Sequence, residues 1–263
     1  MGKDNIRVFA DTLKQIGKTY GADKSEVRCY TKYHSADYSD DHTPITMVHG
    51  GTVSTGYANV ADDMRVAILN FANATVPGGC VMGGSNAQEE NICRCTNLYP
   101  LLAADECEEG YYKPNGIANL CTQAGVYTDS IIYARDVIVF KDDVTYDNIE
   151  PKVLDVITCP APSARLADLE AVVIYANRIK EIVISAIDND VDCIVLGAWG
   201  CGAFGQNPEL IAKAFAIVLN WYGGYFEKII FAIRATPFAS DDFYTIFEQV
   251  FLEDYVGGVQ YEE

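Results

Sequence analysis

The sequence is poor in basic residues. Lys and Arg together number 19 against 37 Asp and Glu, for a formal net charge of −18. A face that tracks a duplex phosphate backbone needs the opposite balance, so duplex nucleic acid is excluded as a partner. Histidine is nearly absent, with only His34, His42 and His49. No C-x2-C pair occurs among the nine cysteines, so no zinc site and no metal cofactor are expected. The cysteine count is odd, and residues such as Cys193 sit in apolar runs, which fits a reduced, cytoplasmic protein better than a disulfide framework. Apolar runs of the ~18 residues that a membrane span requires are missing. The first residues, MGKDNIRVFADTLKQ, carry no apolar signal core and no myristoylation pattern, so no membrane attachment is expected.

What is present is apolar substance and order. Of the 263 residues, 49% are hydrophobic, enough for a large single core. Short apolar runs, including RVAILNFA (65–72), VLDVITCPAP (153–162), DCIVLGA (192–198) and KIIFAIR (228–234), read as strands buried on both faces. IIYARDVIVFKDD (131–143) reads as two short strands or one bent one, and PITMVHG (44–50) as another strand. Helical patterns lie between them at 88–105, 164–190, 208–222 and 241–254, with a short one at 53–63. In 164–190, Leu166, Leu169, Val173, Ala176, Val183 and Ile187 form the expected inward stripe, while Asp168, Asn177, Lys180 and Glu181 face away. Alternating strands and helices predict an α/β fold with a covered sheet. Residues 4–17 predict an amphipathic helix and 18–44 an irregular stretch. The chain is therefore divided into an N-terminal helical extension packed on the domain (1–44) and one catalytic domain (45–263).

Two glycine-rich turns, each between a strand and a helix, carry the chemistry. The first is NFANATVPGGCVMGGSNAQEEN (70–91) and the second LGAWGCGAFGQNPEL (196–210). Gly200, Gly202 and Gly205 free the second backbone to turn its N–H groups, with a helix dipole behind them, toward a phosphate. These three also spell the G-x-G-x-x-G of a dinucleotide-binding unit. The motif lies too late in the chain for that, and Arg234 stands where an acidic ribose ligand belongs.

Together the motifs resemble the macrodomain-fold poly(ADP-ribose) glycohydrolases of the shorter bacterial type, over most of residues 45–250. The resemblance implies a three-layer α/β/α fold with a mixed central sheet and a pocket for ADP-ribose or the end of poly(ADP-ribose) on modified proteins; the sequence does not report the oligomeric state, and a monomer is expected. It implies that Gly200, Cys201, Gly202, Ala203, Phe204 and Gly205 wrap the diphosphate, with Phe204 against the ribose nearest the scissile bond. Asn73 would bond that ribose, Gly78 and Gly79 would let the chain pass close to it, and Gln88 would fix the loop. Glu90 would be the catalytic acid and Glu89 would orient a ribose hydroxyl. One departure stands out, since the third glycine of the family's first loop is here Cys80. For the adenine-stacking tyrosine of larger relatives, the candidate is the Tyr111–Tyr112 pair.

The chemistry agrees with two separate carboxylate roles. Adjacent side chains on a helix diverge by ~100°, so Glu89 and Glu90 cannot flank a sugar as the paired acids of many glycosidases do. A glycosidic acid at neutral pH needs a raised pKa, which a neighbouring carboxylate and a diphosphate supply and a helix N-terminus opposes. The expected activity is hydrolysis of ribose–ribose O-glycosidic bonds, mainly from the chain end, because so acidic a protein does not lie along a polyanion. Removal of single ADP-ribose groups, and non-catalytic ADP-ribose reading, are the alternatives.

Overall fold

The apolar runs pair side by side, because strands without a polar face must be covered on both. The computed structural model describes residues 2–21, 25–31, 35–61, 63–121, 124–234 and 242–261. Its strands are β1 (Glu26–Tyr30), β2 (Ile45–Val48), β3 (Val66–Phe71), β4 (Ile131–Lys141), β5 (Asn148–Cys159), β6 (Cys193–Leu196), β7 (Lys228–Ala232) and β8 (Val259–Gln260). They form one eight-stranded sheet in the order β1-β4-β5-β3-β6-β7-β2-β8. The run from β5 to β8 is parallel, while β1 and β4 pair antiparallel, so the sheet is mixed.

Alternation along β3 builds two cores. Ala67 and Leu69 face helices α7 (Asp168–Ile187), α8 (Pro208–Tyr222) and α9 (Phe243–Asp254). Val66 and Ile68 face the opposite layer. That layer holds α1 (Gly2–Lys18), α2 (Thr52–Asn59), α3 (Gln88–Cys95) and α4 (Leu98–Leu102), then α5 (Asp105–Cys107) and α6 (Lys113–Cys121). The result is the three-layer α/β/α arrangement expected of a macrodomain-like chain.

Three local expectations differ from the structure. Residues 18–44 were expected to be irregular, yet β1 pairs with β4 along Glu26–Tyr30 and forms one edge of the sheet. The helix expected over 88–105 breaks at Thr96–Asn97. Thr96 bridges to Val139, and Asn97 takes the Ile138 N–H on its Oδ1 at 2.8 Å, so strand β4 captures the backbone there. The 131–143 run takes the second of its two expected forms, one strand (Ile131–Lys141) bent by a bulge beside Asp136, which sits at φ 56°.

The third difference is the buried face of α7. Leu169 and Val173 are exposed, and the buried line instead runs through Ala171, Tyr175, Arg178, Ile179 and Ile182. Glu181, expected outside, is buried too. The rule that charges point outward fails because Arg178 finds Asp129 Oδ1 at 3.0 Å and the carbonyls of Pro160 and Val126 at 2.9 and 3.0 Å. A buried cation so paired costs little, whereas an orphaned one costs several kcal/mol.

Helix α2 packs so closely on the sheet that a Cβ at Gly56 would stand 2.5 Å from Ile68 Cγ2 and 3.1 Å from Leu154 Cδ2. Gly56→Ala should therefore destabilise by about 1–3 kcal/mol despite alanine's better helix propensity. A urea midpoint at or above that of the parent would contradict this packing.

Candidate active site

Strands β3 and β6 are parallel neighbours, so the loops leaving their C-terminal ends emerge side by side. Open α/β sheets place ligands at this edge. A cavity of about 380 Å³ lies here, walled by Gly200, Gly202, Ala203 and Phe204 of one loop and by Asn86, Ala87, Gln88 and Asn91 of the other. Gly50, Gly51 and Thr52 from the β2 end, Phe71 from β3, Arg234 from the β7 end and Phe243 add to the wall. Among the described residues that line it, Arg234 is the only one with a charged side chain.

The second loop is shaped for an anion. Gly200 and Gly205 have φ of 83° and 60°, and a Cβ at Gly200 would meet Tyr175 Oη at 2.4 Å. Trp199, fully buried, anchors the loop by donating from Nε1 to Cys159 O at 3.3 Å. Internal bonds use the N–H groups of Trp199, Cys201, Gly205 and Gln206. Those of Gly202, Ala203 and Phe204 take no acceptor among the described residues, which leaves three donors on an exposed turn. Cys201 is not part of that surface. It is buried, and burial pushes its thiol up to about 12.

Helix α3 begins at Gln88, and its carboxamide ties the helix to β3. Oε1 accepts from Phe71 N at 2.8 Å, while Nε2 donates to Leu69 O at 2.7 Å and Thr52 Oγ1 at 2.9 Å. Glu89 and Glu90 follow, both buried, and converge behind the wall on Gly79. A Cβ at Gly79 would lie 2.7 Å from Glu90 Oε1 and 2.9 Å from Glu89 Oε2, so only glycine fits, at φ 57°. Gly78, at φ 66°, has room for no side chain against the ring of Tyr99.

The two carboxylates differ in their partners. Glu89 Oε2 accepts from Asn73 N at 2.8 Å and Oε1 faces Asn70 Nδ2 at 3.5 Å. Burial pushes the Glu89 carboxyl up to about 8, against the pull of the Asn73 amide, and the charge on Glu90 adds to the push. Glu90 Oε1 accepts from Cys80 N at 2.9 Å, while its Oε2 is buried with no hydrogen-bond partner among the described residues. An unpaired buried carboxylate oxygen is costly and is the kind of group an incoming hydroxyl satisfies by donating its proton.

Cys80 resolves the departure from the glycine pattern. Its φ is −98° and it is exposed, so a side chain is accommodated there without left-handed strain. Asn73 is less free than expected, since its Oδ1 accepts from Thr75 N and Val76 N and only Nδ2 remains for a ligand. Tyr111 and Tyr112 do not reach the cavity. They are buried as an edge-to-face pair, with Tyr111 Oη donating to Asn73 O at 3.3 Å beneath the first loop. The cavity's aromatic walls are Phe71, Phe204 and Phe243.

Sequence reasoning missed Gly50, Gly51, Asn86, Asn91 and Phe243 as wall residues, and it met Arg234 only as an obstacle to a dehydrogenase. The available signal was a glycine pair or a charge directly after a strand, at 50–51 and at 234. His34 lies outside the described residues, and among the described ones no group of three or more His, Cys, Asp or Glu is placed to hold a metal ion.

A glycine turn with open N–H groups and a buried carboxylate pair thus stand at the strand ends of a mixed sheet, as in macrodomain-like proteins. The family described as microbial-type PARG (poly(ADP-ribose) glycohydrolase), catalytic domain, matches residues 7–142. The chain belongs to this family, and the dehydrogenase reading falls with that assignment. The poly(ADP-ribose) glycohydrolase of Thermomonospora curvata is 25% identical, with a TM-score of 0.79 over 95% of this chain and 100% of that one. The same enzyme bound to the inhibitor ADP-HPD is also 25% identical, with a TM-score of 0.75 over 94% and 99%. The glycohydrolase of Deinococcus radiodurans in complex with ADP-ribose is 26% identical, with a TM-score of 0.73 over 96% and 91%. No curated protein matches the chain significantly.

The raised Glu89 carboxyl makes stability depend on pH. Folded Glu89 holds its proton to about pH 8, whereas the unfolded group releases it near its ordinary 4.5. Its contribution is complete below about 4.5 and is lost as pH rises toward 8, by up to about 1.4 kcal/mol per pH unit. Urea unfolding at intervals from pH 5 to 8 should show the parent losing stability relative to Glu89→Gln. Parallel curves would refute the burial argument.

Proposed function

We propose that the protein is a poly(ADP-ribose) glycohydrolase that cleaves the ribose–ribose O-glycosidic bond mainly from the chain end and releases ADP-ribose. The observation that carries the mechanism is the unpartnered Oε2 of buried Glu90 beside a glycine loop. In this reading Glu90 protonates the leaving oxygen as an oxocarbenium-like state develops, then takes a proton from the attacking water. Glu89, held by the Asn73 amide, orients a ribose hydroxyl, and Asn73 Nδ2 bonds the same sugar. Gly78 and Gly79 admit the ribose closely. The Gly200–Gly205 turn holds the diphosphate on its open N–H groups, with Phe204 against the ribose. Gln88 fixes the start of the catalytic helix to β3.

Reading ADP-ribose without cutting it drew its support from Cys80, and the ordinary backbone there removes that support. Modified proteins are the proposed source of polymer, the cytoplasm the proposed compartment and a monomer the proposed working form. Among the described residues no helix is long and apolar enough to cross a membrane. The division at residue 44 is likewise proposed. The packing of helix α1 on the domain is supported by Asn5 Nδ2 to Gly84 O at 3.1 Å and Thr12 Oγ1 to Arg94 O at 2.6 Å, whereas β1, within the same extension, belongs to the domain's sheet.

Purified protein should release ADP-ribose from polymer-modified protein, and Glu90→Gln should lose about 10²- to 10⁴-fold in kcat while still binding ADP-ribose in calorimetry. Release by Glu90→Gln at the parental rate would remove Glu90 from its role. The charge of −18 adds a second expectation, since a terminal unit is captured locally and not along the polymer. Raising salt from about 50 to 200 mM should change kcat/KM by less than about threefold, whereas a drop of ~10³ would indicate polymer tracking.

A further inference from the structure

The turn that joins β4 to β5 holds a backbone anomaly. Tyr146 has φ 60°, in the left-handed region that bulky residues avoid. Nothing about the turn itself requires a tyrosine. Asp142 closes it by accepting from Val144 N at 2.9 Å and Thr145 N at 2.7 Å, and Tyr146 N donates to Asp142 O at 3.1 Å. A glycine at 146 would take the same φ without strain. Strain of this kind persists where surrounding contacts over-determine it, so the side chain is where a reason must lie.

Its hydroxyl is saturated. It accepts from Asn91 Nδ2 at 3.0 Å and from Arg94 Nε at 3.1 Å, and it donates to Asn86 Oδ1 at 3.4 Å. A phenol offers one proton and two acceptor sites, and all three are used. Arg94, fully buried, doubles the link by donating from Nη2 to Asn86 Oδ1 at 3.0 Å and from Nη1 to Ser85 O at 2.6 Å. Its guanidinium carbon lies 5.3 Å from the Tyr146 ring centroid. Asn91 Nδ2 also donates to Asp143 O at 2.9 Å on the same turn.

Asn86 and Asn91 stand on either side of Gln88, Glu89 and Glu90. One hydroxyl, delivered by a turn more than fifty residues later in the chain, therefore joins both ends of the segment that carries the carboxylates. We propose that Tyr146 is a positioning residue for the reaction, clamping residues 86 and 91 so that Glu89 and Glu90 stay aimed at Gly79. The inference rests on the catalytic reading of those two carboxylates.

The test uses Tyr146→Phe, which keeps the ring over Arg94 and removes only the hydroxyl. Two readouts are taken on the full chain. In the first, kcat for ADP-ribose release should fall about tenfold with KM changed less than about threefold. In the second, amide exchange at Asn73 and Cys80, whose N–H groups bond Glu89 Oε2 and Glu90 Oε1, should speed up about tenfold. A merely structural tyrosine would lower the unfolding midpoint and leave both readouts unchanged, which overturns the proposal. Asn86→Ala removes the acceptor at the other end and serves should the first variant not fold. It should produce the same two effects, and the double variant should be no worse than either single one, whereas additive losses would refute a shared clamp. If the parent itself releases no ADP-ribose, the glycohydrolase reading fails, while exchange at Asn73 and Cys80 still decides whether the clamp holds the carboxylates.

Discussion

Three residue pairings at the centre of the sheet, Val66 with Cys193, Ala67 with Ile194 and Ile68 with Val195, decide where the chain's two glycine turns emerge. Because β3 and β6 run parallel, their C-terminal ends point the same way, and the turns that follow lie against each other although about 125 positions separate them in sequence. Shifting that register by one residue would send Ala67 and Leu69 to the wrong core and displace one turn against the other. The buried apolar faces of both strands resist such a slip. The second glycine turn and the carboxylates are thus placed at the same sheet edge by hydrophobic pairing of β3 with β6.

Around this joint the molecule tolerates features that would ordinarily cost stability. Two adjacent carboxyls are buried, one with an oxygen that has no hydrogen-bond partner among the described residues. Backbone N–H groups from Asn73 and Cys80 offset part of the desolvation, and glycines at positive φ make the close approach possible. The remaining imbalance appears as the raised Glu89 carboxyl. A site that stores unmet hydrogen-bonding capacity in this way is poised for a ligand that supplies it.

Charge divides the labour in the same fashion. The chain is strongly acidic, yet the cavity wall presents one charged side chain, Arg234, steadied by Asp143 Oδ2 at 2.6 Å. A Cβ at Gly51 would collide with this pair, so the glycine after β2 exists to make room for it. The glycine turn offers an anion backbone dipoles, which need no lysine and have a fixed geometry.

The sequence by itself determined the central strands, α8, the two glycine turns and the Gln-Glu-Glu helix start, because these depend on local rules of apolar runs, backbone freedom and helix entry. The strand at Glu26–Tyr30 was passed over although Val27 and Cys29 alternate with exposed Glu26 and Arg28, because the run is only five residues long inside a polar stretch and pairing with β4 makes it a strand. The buried face of α7 misled, because most of that helix is apolar and its one fully buried cation finds partners only in the fold. Tyr111 and Tyr112 looked like ligand contacts and proved to be floor beneath Asn73. Asn86, Asn91 and the strained Tyr146 gained meaning only from tertiary structure. Their roles lie in distances between segments far apart in the chain, which no local pattern encodes.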